Sequence, residues 1–402
     1  MWKIVSFTLL GLASTAPVSY QMPGLVDILI SPINKFAVEL LNSTYNYQRN
    51  NSKLKNVAIA PFSTWNIFSL LAEGASGTTF QELAEVLRLS NERRSIQKQH
   101  RFARNFLRSN DENVIINAHT LMLYDKHFNV CPQFAKSTND YDTNIFPVDT
   151  RNPVKLAKEI NNFISHATNG KIDNAVKPDI LENLKMIIID ALYFNSDWTI
   201  QFDRNKTVAR PFYNYNGKNI GFVNMMTQKA SYNVRDVPSI EASVLELTYG
   251  KNKQFSMLIL LPFKGISINK LLRNMASCSM NWMNSNSFES VQMQCSIPKF
   301  KVTSQIDLIP ALQSMGMSSI FDKQKARLEG VSNISLFVSQ TVQNIEMEVT
   351  ESGSSVASST MIGLETKKFE MFMADREFVF LIRERRSNLI LFAGVYEDPS
   401  PS

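Results

Sequence analysis

Four histidines and three cysteines are the only imidazoles and thiols in the chain, so their surroundings decide which reactions can be sought. His100, His119, His127 and His166 lie in basic, helical or strand-like contexts with no serine or cysteine in a turn beside them. Local signatures of catalysis are also missing. There is no Gly-x-Ser-x-Gly nucleophile turn, no Gly-x-x-x-x-Gly-Lys phosphate loop, no Gly-x-Gly-x-x-Gly fingerprint and no His-Glu-x-x-His zinc helix. A triad can assemble from distant positions, but the sequence nominates none, and no metal or organic cofactor is expected. Cys131, Cys278 and Cys295 form an odd set without Cys-x-x-Cys spacing. At least one thiol is therefore free or pairs between molecules, and disulfides do not frame the fold.

Cations offer more. Arg94, Lys98, Arg101, Arg104 and Arg108 project within roughly 120° of one another at helical spacing, opposite Ile96, Phe102, Ala103, Phe106 and Leu107. This reads as one amphipathic helix over 94–108 whose charged row fits a linear polyanion, or as an ordinary solvated face. Lys367 and Lys368 form a dibasic pair beyond a run of small residues, Ser354 to Thr360; by residue type alone it is surface charge. The overall excess, 42 Lys+Arg over 36 Asp+Glu, is mild. With no zinc-finger, RNA-binding or basic-zipper pattern, a nucleic-acid partner is not expected.

The elements that would position these groups can be read from periodicity. With 44% hydrophobic and 19% charged residues, the 402-residue chain can bury a large core, which excludes wholesale disorder. Lys3, the apolar run Ile4 to Leu12 and the small residues Ala13, Ser14, Ala16 and Ser19 form a secretory leader, taken as residues 1–20, with cleavage between Ser14 and Pro23. Later apolar runs, Met186 to Ile189 and Phe255 to Phe263, are far shorter than the roughly 20 residues of a membrane span. A secreted, extracellular protein without a membrane partner is expected, and the sequons at Asn42, Asn50, Asn205 and Asn333 become candidate glycan sites.

Helical spacing appears at Phe36 to Asn46, Thr64 to Ala72, Thr78 to Leu89, Val154 to Thr168 and Lys270 to Met275. Strand-like runs lie at Asn56 to Ala60, Val114 to Leu123, Met186 to Phe194, Val244 to Leu247, Met257 to Leu261 and Val291 to Ile297. No linker, repeat or low-complexity tract divides them, so the reading is one continuous α+β domain over 21–402.

The C-terminal third carries a recognisable order. Glu351-Ser-Gly353 and a run of small residues are followed by a loop, then Phe378-Val-Phe-Leu-Ile382 and Leu391-Phe-Ala-Gly394. Upstream come Asn56-Val-Ala-Ile-Ala-Pro61-Phe-Ser63, Thr168-Asn-Gly-Lys-Ile172, Phe194-Asn-Ser-Asp-Trp198, Met225-Met226, Leu245-Glu-Leu-x-Tyr249, Ser256-Met257 through Leu261-Pro262, and Ile297-Pro-Lys-Phe300. This series resembles the serpin family over essentially the whole mature chain.

The resemblance implies three β-sheets, about nine helices and an exposed reactive loop, here 351–374. A target protease attacks the loop and forms an acyl-enzyme; the freed loop then inserts as an extra strand of the large sheet and traps the protease. It implies a hinge at Glu351, Gly353, Ser354, Val356 and Ala357, and a reactive bond at Lys367–Lys368, with Thr366 or Lys368 as the attacked residue if the register moves by one. A lysine there suits a trypsin-like pocket that carries a carboxylate. The loop has the chemistry to insert: Ser354, Val356, Ser358, Thr360, Ile362 and Leu364 make one small or apolar face, and Glu365 falls on the other. Gly353 frees the hinge dihedrals.

The resemblance further implies a contact group of Trp198, Lys299 and Glu351 where the loop inserts, with Lys299 and Glu351 paired. Under the sheet it implies a gate at Ala60, Ser63, Asp190 and Gln343. This chain departs from the family in that gate, where Asp190 and Gln343 replace an amide and an imidazole. We read the changes as compensating, with the Gln343 amide and the Ser63 hydroxyl both donating to Asp190. Glu377 replaces a usual proline, Ser196 a usual glycine and Val356 a usual alanine. In some serpins the helix matching 94–108 binds sulfated glycosaminoglycans. The expectation is a monomeric, secreted inhibitor of a trypsin-like serine protease; the alternative is a non-inhibitory serpin acting as a binding or carrier protein.

Overall fold

The computed structural model describes residues 23–51, 56–107, 114–352 and 370–400. Local chemistry sets the starts of several helices. Pro61, Pro132 and Pro153 each stand in a first turn, where a missing N–H leaves nothing unpaired. Asn152 and Ser267 cap their helices by accepting from the N–H of Lys155 and Lys270. Among the described residues the eight α-helices are α1 (Pro23–Asn51), α2 (Pro61–Gly74), α3 (Gly77–Leu87), α4 (Arg93–Asn105), α5 (Pro132–Asp140), α6 (Pro153–Ala167), α7 (Ile268–Ser277) and α8 (Ile309–Ser314). α1 extends well beyond the expected 36–46, carrying Pro32 within it, while α4 ends at Asn105 rather than running on to Arg108, which lies outside the described residues.

Fourteen strands complete the described chain. They are β1 (Val57–Ile59), β2 (Val114–Asp125), β3 (Thr143–Val148), β4 (Met186–Ser196), β5 (Val208–Tyr213), β6 (Asn219–Val237), β7 (Ala242–Thr248), β8 (Phe255–Pro262), β9 (Glu289–Pro298), β10 (Phe300–Ile306), β11 (Gln340–Val349), β12 (Glu370–Met373), β13 (Phe378–Glu384) and β14 (Ile390–Tyr396). One sheet has nine strands in the order β1-β14-β13-β8-β7-β6-β9-β12, with β5 also on β6; the other has five, β10-β11-β4-β2-β3. The α+β class holds. The described strands nevertheless make two hydrogen-bonded sheets rather than three, because the 19-residue β6 pairs with β5 at its start and with β7 at its end.

Burial explains the strand patterns. β8, β13 and β14 are buried at every residue, as strands covered on both faces must be, whereas β10 alternates from Phe300 to Ile306. The apolar α2 lies between α1 and the sheets, with Trp65, Ile67, Leu70 and Leu71 fully enclosed. The loop reading of 351–374 is shortened at its far end, since residues 370–373 are the strand β12, running parallel to β9. Residues 353–369, which include Gly353, Ser354, Val356, Ala357, Lys367 and Lys368, lie outside the described residues.

Candidate functional site: the seam between β4 and β11

In the five-stranded sheet the central strand β4 and its neighbour β11 run parallel, paired from Gln340↔Ile187 to Met347↔Phe194. This seam has a specific chemical capacity. A strand placed between two parallel neighbours can run antiparallel to both, so one ladder is given up and two are made. The chain leaving β11 bends at Thr350 to Ser352, just before residue 353; the chain leaving β4 carries Trp198 and a short turn at Arg204–Lys206. The two exits meet. Trp198 Nε1 donates to the Thr350 carbonyl at 2.9 Å, Thr207 Oγ1 to Glu351 Oε1 at 2.9 Å, and Arg204 Nη2 to Ser352 Oγ at 2.8 Å. The Trp198 ring is buried and stacks on Tyr249 at 4.4 Å.

Lys299 Nζ lies 3.1 Å from Glu351 Oε2. Lys299 sits between β9 and β10, on the same side of the seam as β11, so this ion pair braces β11 without crossing the seam. Burial pushes the Glu351 carboxyl up, but a backbone N–H, the Thr207 hydroxyl and the Lys299 ammonium outweigh it and hold it below the usual range.

Deeper in the seam, Gln343, Asp190 and Thr120 are direct cross-strand partners on β11, β4 and β2, which puts three side chains in one row facing α2. Gln343 Nε2 lies 3.2 Å from Asp190 Oδ2, and Thr120 Oγ1 donates to Asp190 Oδ1 at 2.7 Å. Ser63 Oγ is 3.2 Å from Thr120 Oγ1 and also donates to the Asp190 carboxylate, so it joins the row at both residues. Ala60 joins by backbone: its N–H donates to Gln343 Oε1 at 2.8 Å. Burial pushes the Asp190 carboxyl up, against the pull of the Thr120, Gln343 and Ser63 donors. Asp190 and Gln343 also line a cavity of about 10 Å³, room for about one water.

Thr120, Thr207 and Arg204 were not nominated by the sequence. No motif marks them; only the pairing of β2 with β4, and the turn after Phe202, bring them to the seam.

The other candidates lie apart from the seam. On α4, Arg94, Lys98 and Arg101 are exposed, but Arg104 is committed to Asp142 and to the Asp140 carbonyl. The buried face of α4 is formed by Ile96, Gln99, His100 and Ala103, with His100 stacked on Tyr141 at 4.0 Å. Asn50, Asn205 and Asn333 are exposed. Asn42 is the exception: it is half-buried in the middle of α1, and its sequon residue Thr44 is buried, because that face of the long helix packs inward. All three cysteines are free, with Cys295 buried. Among the described residues no helix is long and apolar enough to cross a membrane, and no acidic, His or Cys cluster could hold a metal ion.

A family model described as serpin (serine protease inhibitor) matches residues 31–399. The chain belongs to the serpin family. Among curated relatives, intracellular coagulation inhibitor 1 of Tachypleus tridentatus is 31% identical over 384 residues, covering 90% of this chain and 91% of that one. Among solved structures, serpin-12 of Manduca sexta superposes with a TM-score of 0.80 at 24% identity, covering 92% of this serpin and 98% of the other chain. Native protease nexin-1, crystallised with heparin, gives 0.78 at 23% identity and covers 92% of this serpin and 100% of its own chain. The Tachypleus relative is named as an inhibitor, and the family model describes inhibitors of serine proteases.

Proposed function

We propose that this serpin inhibits a trypsin-like serine protease through a cleaved, inserting loop. The observation that carries the reading is the closed parallel seam, with the chain that leaves β11 tethered at Thr350 to Ser352 directly above it. The protease serine attacks the Lys367 carbonyl, the Lys367–Lys368 bond breaks, and Lys368 leaves as a new N-terminus while Lys367 stays esterified to the enzyme. The freed segment inserts between β4 and β11 with Ser354, Val356, Ser358, Thr360, Ile362 and Leu364 facing inward, drawing the tethered protease along. Glu351, Gly353, Ser354, Val356 and Ala357 serve as the hinge. Trp198, Lys299 and Glu351 guard the mouth of the seam, while Ala60, Ser63, Asp190 and Gln343 form its gate.

Residues 1–20 act as a secretory leader in this reading, with Asn50, Asn205 and Asn333 as glycan sites, and the mature protein works as a monomer outside the cell. Arg94, Lys98 and Arg101 offer a short cationic row to a sulfated glycosaminoglycan. A second reading, a non-inhibitory binding serpin, is favoured by Asp190, because a buried carboxylate beside an inserted strand needs new donors.

The test is to mix the full-length protein with trypsin, look for a complex that survives denaturing electrophoresis, and sequence the released peptide. A stable complex with a new terminus at Lys368 supports inhibition. Rapid cleavage with neither a complex nor a rise in thermal stability hands the lead to the second reading.

A further inference from the structure

Three hydrogen bonds cross the mouth of the seam, and they are anchored differently. Trp198 donates from a buried, stacked ring, and Thr207 donates to a carboxylate that Lys299 also holds. Arg204 donates to Ser352, the last described residue before the chain passes into 353–369. Its platform is firm. The Asp203 side chain accepts from the Asn205 N–H at 2.9 Å, the Asp203 carbonyl accepts from the Lys206 N–H at 2.9 Å, and Phe202 is buried edge-on to Trp198. Arg204 therefore reaches across the seam from a rigid turn that continues β4 to the chain that continues β11.

We propose that Arg204 is a positioning residue for the inhibitory reaction, setting the rate at which the seam opens by tying Ser352 to the β4 side. This rests on the inhibitory reading above. A strand added between β4 and β11 must carry Thr350 to Ser352 away from Trp198 and Arg204, so the Arg204–Ser352 bond breaks before new ladder bonds form at that end. The Arg204 side of the bond is open to water, so the bond contributes little to global stability but stands early on the opening path.

The full-length protein is incubated with a synthetic peptide of residues 354–365, and uptake is followed on native gels and by the rise in thermal midpoint. Arg204→Ala and Ser352→Ala each anneal the peptide about fivefold faster, the factor a single water-exposed hydrogen bond supplies. The double variant is no faster than either single one, and Arg204→Lys falls between wild type and Arg204→Ala. Their thermal midpoints without peptide fall by no more than about 2 °C, the small shift that one exposed hydrogen bond gives in a chain of this size. Unchanged rates in both single variants, additive rates in the double variant, or acceleration accompanied by a fall in the thermal midpoint of more than about 5 °C overturns the assignment, as does a failure of every form to take up peptide. If wild type takes up peptide but forms no complex with trypsin, the inhibitory reading falls while the Arg204 strap stands.

Discussion

Each sheet of this serpin buries a carboxylate, and the two are held in opposite ways. Glu246 on β7 is enclosed with Arg383 at 2.8 Å and Arg385 at 2.9 Å, and it accepts further bonds from Asn233 and Ser256. Burial pushes its carboxyl up, yet the two guanidinium groups and the Asn233 amide hold it down at about 2. Asp190 on β4 is equally enclosed, but its partners are hydroxyl and amide donors, and burial wins. Separating Glu246 from Arg383 would strand two charges in the core, so β7, β8 and β13 are locked together. Separating Asp190 from Gln343 parts an amide from a group that can take up a proton. One sheet is closed by buried ion pairs, and the seam of the other by uncharged donors to a single carboxyl.

The contrast can be broken most forcefully at Glu246. Glu246→Ala leaves Arg383 buried without its carboxylate, and urea unfolding at pH 7 is expected to show a loss of about 4 kcal/mol, with peptide uptake into the seam unchanged. A loss below about 1 kcal/mol would mean that the locked sheet is not locked by charge.

Glu377, where β12 meets β13, is an intermediate case. Burial first, and then the neighbouring Glu397, push its carboxyl from 4.5 to about 7. A group raised on folding favours the folded state most when protonated, so its penalty is absent well below pH 4.5 and grows until the pH has passed about 7. Glu377→Gln should gain about 2 kcal/mol at pH 8, with the gain shrinking as the buffer is taken down to pH 4.5. Equal gains at both pH values would assign the effect to packing instead.

Asp190→Asn sharpens the comparison within the seam. Since the Asp190 carboxyl is also raised by burial, wild-type stability is favoured at low pH and declines as the pH rises through its folded value. The difference between Asp190→Asn and wild type in thermal midpoint should therefore widen towards alkaline pH. For Glu246 the sign reverses: its contribution is present at neutral pH and lost as the pH falls towards 2. A pH-independent Asp190→Asn difference would remove the idea of a protonatable gate. The smallest effect is expected at Trp198→Phe, which keeps the stacking on Tyr249 and loses the bond to Thr350: about 1 kcal/mol in unfolding, with faster peptide uptake as the discriminating readout.

How much was legible depends on distance along the chain. The apolar runs of β4 and β8, the enclosed α2 and the cationic stripe of α4 could be read directly, because burial on both faces or on one leaves a periodic trace. The first turns of α1 left none: Leu25 and Ile28 are exposed and Pro32 interrupts the pattern. At the gate, Asp190 and Gln343 could be nominated from the family pattern, but Thr120 could not, since an isolated threonine in a strand carries no mark of what it faces. Arg204 and Thr207 were silent for the same reason.

Sequence alone determined the family, the α+β class, the absence of local catalytic motifs and a segment, 354–364, whose alternate residues are small or apolar, since each is written in residue type and short-range spacing. Tertiary structure alone decided what faces what. Thr120 and Asp190 stand 70 residues apart, Gln343 and Asp190 153, and Arg204 and Ser352 148. Only strand register and the closure of β11 against β4 make them neighbours. Spacing along a strand sets which face a side chain takes; pairing between distant strands sets the group it meets there.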